Sequence, residues 1–261
     1  NDTSTDVSRG FFTFAPTHND QFQVNFIDGH RESGDLPLRE LPLTINRERI
    51  TTDLTNVGLS YRRSLTPASD LVFSVIYSDA EQSGELTIPL PPPDPKLRLS
   101  STAELKGPQF EAQYVRRQEG ITWIAGAGHF NGTQEITQAS SGGILPPSTL
   151  TIEDDDTFTN GYVYAKFRNL GPIEITAGVS YEDVSAPVGL LTPRDSFIIP
   201  DEIAFDDSRV SPKLGLTAYV TSKTVLRAAA YYRLSPAIGR LQTLEPTQVA
   251  GFNQFYRDQA G

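Results

Sequence analysis

The residues best equipped for chemistry are few and scattered. Three histidines, His18, His30 and His129, stand far apart, and none has a second ligand at metal-binding spacing. The chain has no cysteine, which removes disulfides, thiolate metal sites and a cysteine nucleophile together. No His-Glu-x-x-His, Gly-x-Ser-x-Gly, P-loop or dinucleotide fingerprint occurs. Carboxylates gather at Glu153, Asp154, Asp155 and Asp156, and again at Asp201, Glu202, Asp206 and Asp207. Clustered oxygens suit Ca²⁺, but the spaced Asp-x-Asp-x-Asp-Gly pattern is missing, so both runs read as solvated acidic loops. Asn131-Gly-Thr133 fits a glycosylation sequon, yet Asn-Gly is also a turn signal and the turn reading is preferred. The expectation is a protein without catalysis, resident metal or cofactor.

A richer set appears where polar side chains recur at every second position. Arg62, Glu111, Gln113, Tyr162, Tyr164, Lys166, Arg168, Glu174, Lys213, Tyr219, Arg227, Tyr231 and Arg233 each follow an apolar residue or a glycine, and all but Arg62 and Arg168 also precede an apolar one. If those neighbours face lipid, this mixture of charge and tyrosine lines a polar lumen or a contact surface for a plug. Some of it, such as Lys166 with Glu174, would only brace the wall. Trp123 and tyrosines near the ends of the runs fit an interfacial aromatic girdle.

The elements that must position these residues follow from period-two alternation. Ile173, Ile175, Ala177, Val179 and Tyr181 interleave with Glu174, Thr176, Gly178, Ser180 and Glu182. Leu214, Leu216, Ala218 and Val220 do the same against Lys213, Gly215, Thr217 and Tyr219. Five short turns, at Pro16–Asp20, Leu65–Ser69, Gln118–Gly120, Asn169–Pro172 and Thr221–Lys223, recur every 49 to 52 residues. Each is flanked by two alternating runs of 9 to 14 residues. Globular strands average about 5–6 residues, whereas a tilted transmembrane strand needs about 9–11. Between the hairpins lie longer segments near 31–47, 85–107, 133–156, 185–208 and 235–245. Short turns at one end and long loops at the other are the pattern of outer-membrane barrels. Pro89–Pro95 reads as a stiff polyproline stretch in one such loop, and Lys96–Lys106 as a strand within it.

Composition agrees. The 261 residues carry a net charge of −10, which repels phosphate backbones and makes nucleic acid an unexpected partner. Aromatics make up 10% of the chain, too many for a disordered acidic polymer. No stretch is long and apolar enough for a membrane helix, a test to which barrel strands are blind. Without methionine or a signal peptide, the chain is expected to be a mature or cut segment of a longer product.

The hairpin Ser211-Pro-Lys-Leu-Gly-Leu-Thr217, turn, Thr224-Val-Leu-Arg-Ala-Ala-Ala-Tyr231 resembles those of TonB-dependent receptor barrels. Its continuation, Leu244-Glu-Pro-Thr-Gln-Val-Ala-Gly-Phe-Asn-Gln-Phe255, resembles barrels linked to tetratricopeptide-repeat proteins of the outer membrane. The match is closest over 205–258; elsewhere only the hairpin rhythm is shared. No plug, TonB-contacting box, helical repeat or closing C-terminal aromatic is recognisable.

The expected fold is all-β: an antiparallel up-and-down transmembrane β-barrel, or part of one, with about 10–12 long strands. Ten hairpin strands and one over Thr247–Tyr256 make eleven, an odd number for a bacterial barrel. Residues 1–261 are therefore expected to be one barrel domain, an internal segment of a larger wall or one that pairs with another chain. The resemblance implies a passive transport, receptor or export-porin wall in a Gram-negative outer membrane. Its partners would be the lipid bilayer and a plug, a periplasmic repeat domain or further strands. The competing class is a soluble β-propeller for binding or glycan processing, since kelch blades also repeat at about 50 residues. A structural or adhesive barrel with a filled lumen is the third reading.

Overall fold

The computed structural model describes residues 3–34, 47–88, 96–142, 146–187, 204–232, 243–246, 248–250 and 252–253. Ten strands run in chain order: β1 (Thr3–Phe14), β2 (Asp20–Gly34), β3 (Arg47–Thr66), β4 (Ser69–Ile88), β5 (Leu97–Gln118), β6 (Ile121–Ser141), β7 (Ser148–Leu170), β8 (Ile173–Pro187), β9 (Ala204–Thr221) and β10 (Thr224–Tyr231). They form one sheet in which each strand pairs antiparallel with its sequence neighbour. A propeller would divide such strands into separate short-stranded blades, so this uninterrupted meander is the up-and-down wall. Among the described residues β1 and β10 each have one hydrogen-bonded neighbour, so the sheet is not closed.

All five short turns stand where the alternation breaks. Two need glycine for their backbone: Gly120 and Gly171 have φ of 73° and 67°, strained for residues with a Cβ.

Register aligns the outward apolar side chains into continuous rows. Phe22, Tyr61, Phe73, Ala112, Ala127, Gly161, Tyr181 and Val210 stand directly opposite one another from β2 to β9. A second row runs Val24, Leu59, Val75, Phe110, and a third Phe26, Val57, Tyr77, Pro108. Most of the large side chains in these rows are exposed despite their size; Val57 and Tyr77 are 48% and 50% accessible. Water would penalise such a band, and hydrocarbon would not. Away from the tight turns the same face changes abruptly to Asp28, Thr55, Asp79, Lys106, Thr133 and Asp155.

Two expectations are corrected. Two of the segments expected as long loops, 85–107 and 133–156, are largely strand: β4 continues to Ile88, β5 begins at Leu97, β6 continues to Ser141 and β7 begins at Ser148. Most of 31–47, 185–208 and 235–245 lies outside the described residues. Lys96–Lys106 is no separate loop strand, since Leu97–Lys106 is the far half of β5, and the acidic run 153–156 lies within β7. The 20 to 23 residues of β3 to β7 exceed what a membrane crossing needs, so the wall projects beyond the apolar band. Of the strand expected over Thr247–Tyr256, the described residues do not join the wall. Gln248–Val249 (β11) and Phe252–Asn253 (β12) form their own two-stranded hairpin instead. Gly215 makes room for it on β9, because a Cβ there would lie 2.6 Å from Val249 Cγ1. Pro89–Pro95, Asp201, Glu202 and Arg233 fall outside the described residues.

Candidate functional site on the polar face

The opposite face is organised by small residues beside large ones. Tyr162 and Tyr164 lie over the glycines directly across from them, Gly126 and Gly178. A Cβ on Gly126 would come within 2.4 Å of the Tyr162 hydroxyl, and one on Gly178 within 2.5 Å of the Tyr164 ring. Both hydroxyls are thereby held against the sheet, with the rings 6.0 Å apart edge to face.

Onto these tyrosines folds the short segment Thr243–Glu245, which we call the strap. Glu111 Oε2 accepts the Leu244 N–H at 2.8 Å, and Gln113 Nε2 donates to the Leu244 carbonyl at 2.5 Å. Both backbone polar groups of Leu244 are thus satisfied by wall side chains, as a buried peptide unit requires. Glu111 Oε1 also accepts from Tyr162 and from Thr243, each at 3.0 Å. Glu245 is the second anchor. Lys213 Nζ donates to its Oε1, as does the Tyr164 hydroxyl at 2.5 Å, and Asn160 Nδ2 donates to its Oε2 at 3.4 Å. Lys213 Nζ also donates to Tyr164 at 2.9 Å. The side chains of Lys213 and Glu245 are both fully buried, so each charge depends on the other. Beside them, buried Glu182 accepts from Ser180 at 3.1 Å and Ser211 at 3.0 Å.

Nearer the tight turns, Asp70 is buried between two guanidinium groups. Arg62 donates to its Oδ1 at 2.9 Å and Arg117 to its Oδ2 at 2.5 Å. Between this cluster and the strap lies a groove of about 440 Å³ lined by Gln21, Gln23, Asn25, Ser60, Arg62, Val72, Ser74, Ile76, Glu111, Thr243 and Leu244, with Tyr61 at its margin. Register explains the dent: the short side chains of Ser60 and Ser74 stand directly opposite each other, with the β2 amides Gln21, Gln23 and Asn25 along one side.

Arg62, Glu111, Gln113, Tyr162, Tyr164, Lys166, Glu174, Lys213, Arg227 and Tyr231 share this face by register, and Tyr219 joins them through its hydroxyl, 3.5 Å from Glu174. Glu111, Gln113, Tyr162, Tyr164 and Lys213 meet at the strap. Lys166, Arg168, Glu174 and Arg227 lie outside it. Lys166 stands opposite Thr176, one pair removed from Glu174, and among the described residues the two form no ion pair. Sequence reasoning did not select Asp70, Asn160, Ser180, Glu182, Ser211 or Glu245 as site residues, although it placed Ser180 and Glu182 on the polar side of the alternation. All but Glu245 share the parity of residues it did select; Glu245 carries no periodic signal at all.

The histidines do not converge. His18 lies in a tight turn. His30, beyond the apolar band, bonds Asp53 at 2.6 Å, and that carboxylate raises its pKa above the ordinary value. His129 bonds Thr159 at 2.9 Å. Among the described residues no group of three or more His, Asp or Glu is placed to hold a metal.

No family model matches this sequence, and no curated protein does either. Solved structures do match by fold. BauA, the ferric preacinetobactin receptor from Acinetobacter baumannii, aligns at TM-score 0.56 and 12% identity, over 88% of this chain and 40% of its own. Fiu, the ferric-catecholate import receptor of E. coli K12 in its closed form, aligns at 0.56 and 10%, over 97% and 47%. The ferric citrate transporter FecA without ligand aligns at 0.54 and 14%, over 87% and 35%. The chain spans less than half the length of each. By fold it is therefore a stretch of antiparallel, up-and-down transmembrane β-barrel wall, the architecture of TonB-dependent receptor barrels.

Proposed function

We propose that this chain forms part of the wall of a Gram-negative outer-membrane transport barrel and acts by passive enclosure, without catalysis. The single observation that carries this reading is the two-faced sheet. Its outward rows are apolar, over the greatest length on β8 and β9, and turn charged and polar beyond. Its other face carries mostly polar and charged side chains, with Val72, Ile76 and Ile124 among them. On this reading the polar face lines a lumen, with Arg62, Glu111, Lys166, Glu174 and Arg227 among the groups a passing solute meets. The tight turns lie on the periplasmic side, and the projecting strand halves outside the cell. Residues 1–261 act as one domain of a larger wall. Among the described residues the outer edges of β1 and β10 have no hydrogen-bonded neighbour, which supports that step, because each unsatisfied amide in lipid costs several kcal/mol. Further strands, of the same polypeptide or another, would complete the hydrogen bonding, and a plug or periplasmic domain would act on the lumen.

The test is the heat-modifiability of the native protein in urea-washed membranes. A boiling-dependent shift in gel mobility is expected from a closed barrel, and conductance across a planar bilayer from an open lumen. Recovery in the soluble fraction with no shift would overturn the reading.

A further inference from the structure

We propose that the groove beside the strap is a binding site for a neutral, hydroxyl-rich solute of the short-saccharide class. This rests on the lumen reading and names the class of solute the polar face would hold. The groove, about 440 Å³, has a volume within the usual range for small-molecule sites. Its walls come from four consecutive strands and the strap, so it is built by the fold rather than by one loop.

The chemistry of the walls selects the ligand. Two charged residues border the groove, and both are already engaged. Arg62 is held by Asp70 through Nε at 3.1 Å and through Nη2 at 2.9 Å. Both oxygens of Glu111 are taken by Tyr162, Thr243 and the Leu244 N–H. Ser60 and Ser74 bond each other at 3.0 Å across the floor. What remains for a ligand is the amide rim on β2: Gln21, Gln23 and Asn25 alternate along one strand, and none is bonded among the described residues. Each amide offers a donor and an acceptor, and a sugar hydroxyl is likewise both, so the two sets are complementary. An ionic ligand would lose hydration without a free countercharge, whereas a neutral polyol would not. Val72 and Ile76 supply apolar contact for C–H faces.

The test uses the purified protein in a detergent with no sugar headgroup, titrated calorimetrically with maltotriose, and with citrate and spermidine as charged comparisons. Saturable maltotriose binding is expected, weakened at least tenfold by the double change Gln23→Ala and Asn25→Ala, which alters only side chains at the groove rim. Ser60→Leu, which fills the floor, is expected to abolish binding while the heat-dependent gel shift persists. Absence of maltotriose binding, binding unchanged in both variants, or preference for citrate or spermidine would each overturn the proposal. Because the gel shift and membrane fractionation are read without sugar, the barrel reading stands or falls separately from this site.

Discussion

The two faces of this sheet treat charge in opposite ways. On the polar face most buried carboxylates described have an opposite charge or hydrogen-bond donors beside them. Asp70 has Arg62 and Arg117, Glu245 has Lys213, and Glu111 and Glu182 accept from hydroxyls, while Asp156 Oδ2 has no hydrogen-bond partner among the described residues. On the outward face beyond the apolar band, register instead sets like charges side by side. Asp53, Glu81, Glu104, Glu135 and Glu153 stand directly opposite one another on five consecutive strands, with His30 at the end of the row. The difference is one of solvent. A charge removed from water needs an opposite charge or hydrogen-bond donors to offset its desolvation, whereas water and salt screen an exposed row. The buried network is therefore expected to be specific and intolerant, and the outer row tolerant and dependent on ionic strength.

The largest effect should come from removing one member of the buried pair. Lys213→Ala removes the ammonium that faces the buried Glu245 carboxylate, and a loss of about 3–5 kcal/mol is expected. Replacing both partners, Lys213→Met with Glu245→Leu, is expected to restore part of that loss, since the buried charges are gone while the Tyr164 hydroxyl and the Asn160 amide lose their acceptor. Urea unfolding of the detergent-solubilised protein reads both. Equal damage in the single and double variants would show that the pair is not what anchors the strap.

Glycines offer a second way to compare the faces. Gly178→Ala drives a methyl into the Tyr164 ring, whose hydroxyl is fixed by Glu245, so the ring has little freedom to yield. A cost of about 1–3 kcal/mol is expected. Gly161→Ala, in an outward row on the neighbouring strand, meets nothing within 4 Å and is expected to be close to neutral. If the two substitutions cost the same, the tyrosines are not held as described.

How much of this was legible in the sequence follows from the same contrast. Alternation depends only on which face each residue takes, so the strands, the five tight turns and the common face of Glu111, Tyr162 and Lys213 could be read from neighbours alone. The projecting strand halves were mistaken for loops because a membrane crossing sets a lower bound on strand length and no upper one. The strap was invisible for another reason. Thr243-Leu-Glu245 has no period, and its partners lie 32 to 133 residues away in the chain. Only the folded sheet brings Glu111, Asn160, Tyr164 and Lys213 to one place, so Glu245 reads as one more acid in a connection.

His30 tests the outer face at the level of a single proton. Its pKa is raised by the hydrogen bond and charge of Asp53, with Glu32 adding a smaller attraction. A histidine with a raised folded pKa contributes stability that is present below its ordinary value, about 6.5, and is lost as pH rises through the folded one. Asp53→Asn should therefore lower the His30 pKa, followed by NMR titration of the ring, and remove this gain at acid pH while leaving alkaline stability unchanged. An unaltered titration would mean that the pair does not form in solution.

The smallest expected effect belongs to the carboxylate row. Glu135→Gln takes one negative charge from between Glu104 and Glu153, which stand directly opposite it on either side. Like charges placed opposite in a sheet repel, so the neutral variant should unfold at slightly higher temperature in dilute buffer. The exposed row is screened within a Debye length of about 10 Å at 0.1 M salt, so wild type and variant should converge as salt is raised. Buried Lys213 and Glu245 lie beyond the reach of that screening, and the penalty of Lys213→Ala should persist at the same salt concentrations. A salt series on Glu135→Gln and Lys213→Ala together thus separates the faces by solvent rather than by residue type. If Lys213→Ala were rescued by salt as fully as Glu135→Gln is levelled by it, the strap site would be open to water, and the contrast between the faces would fail.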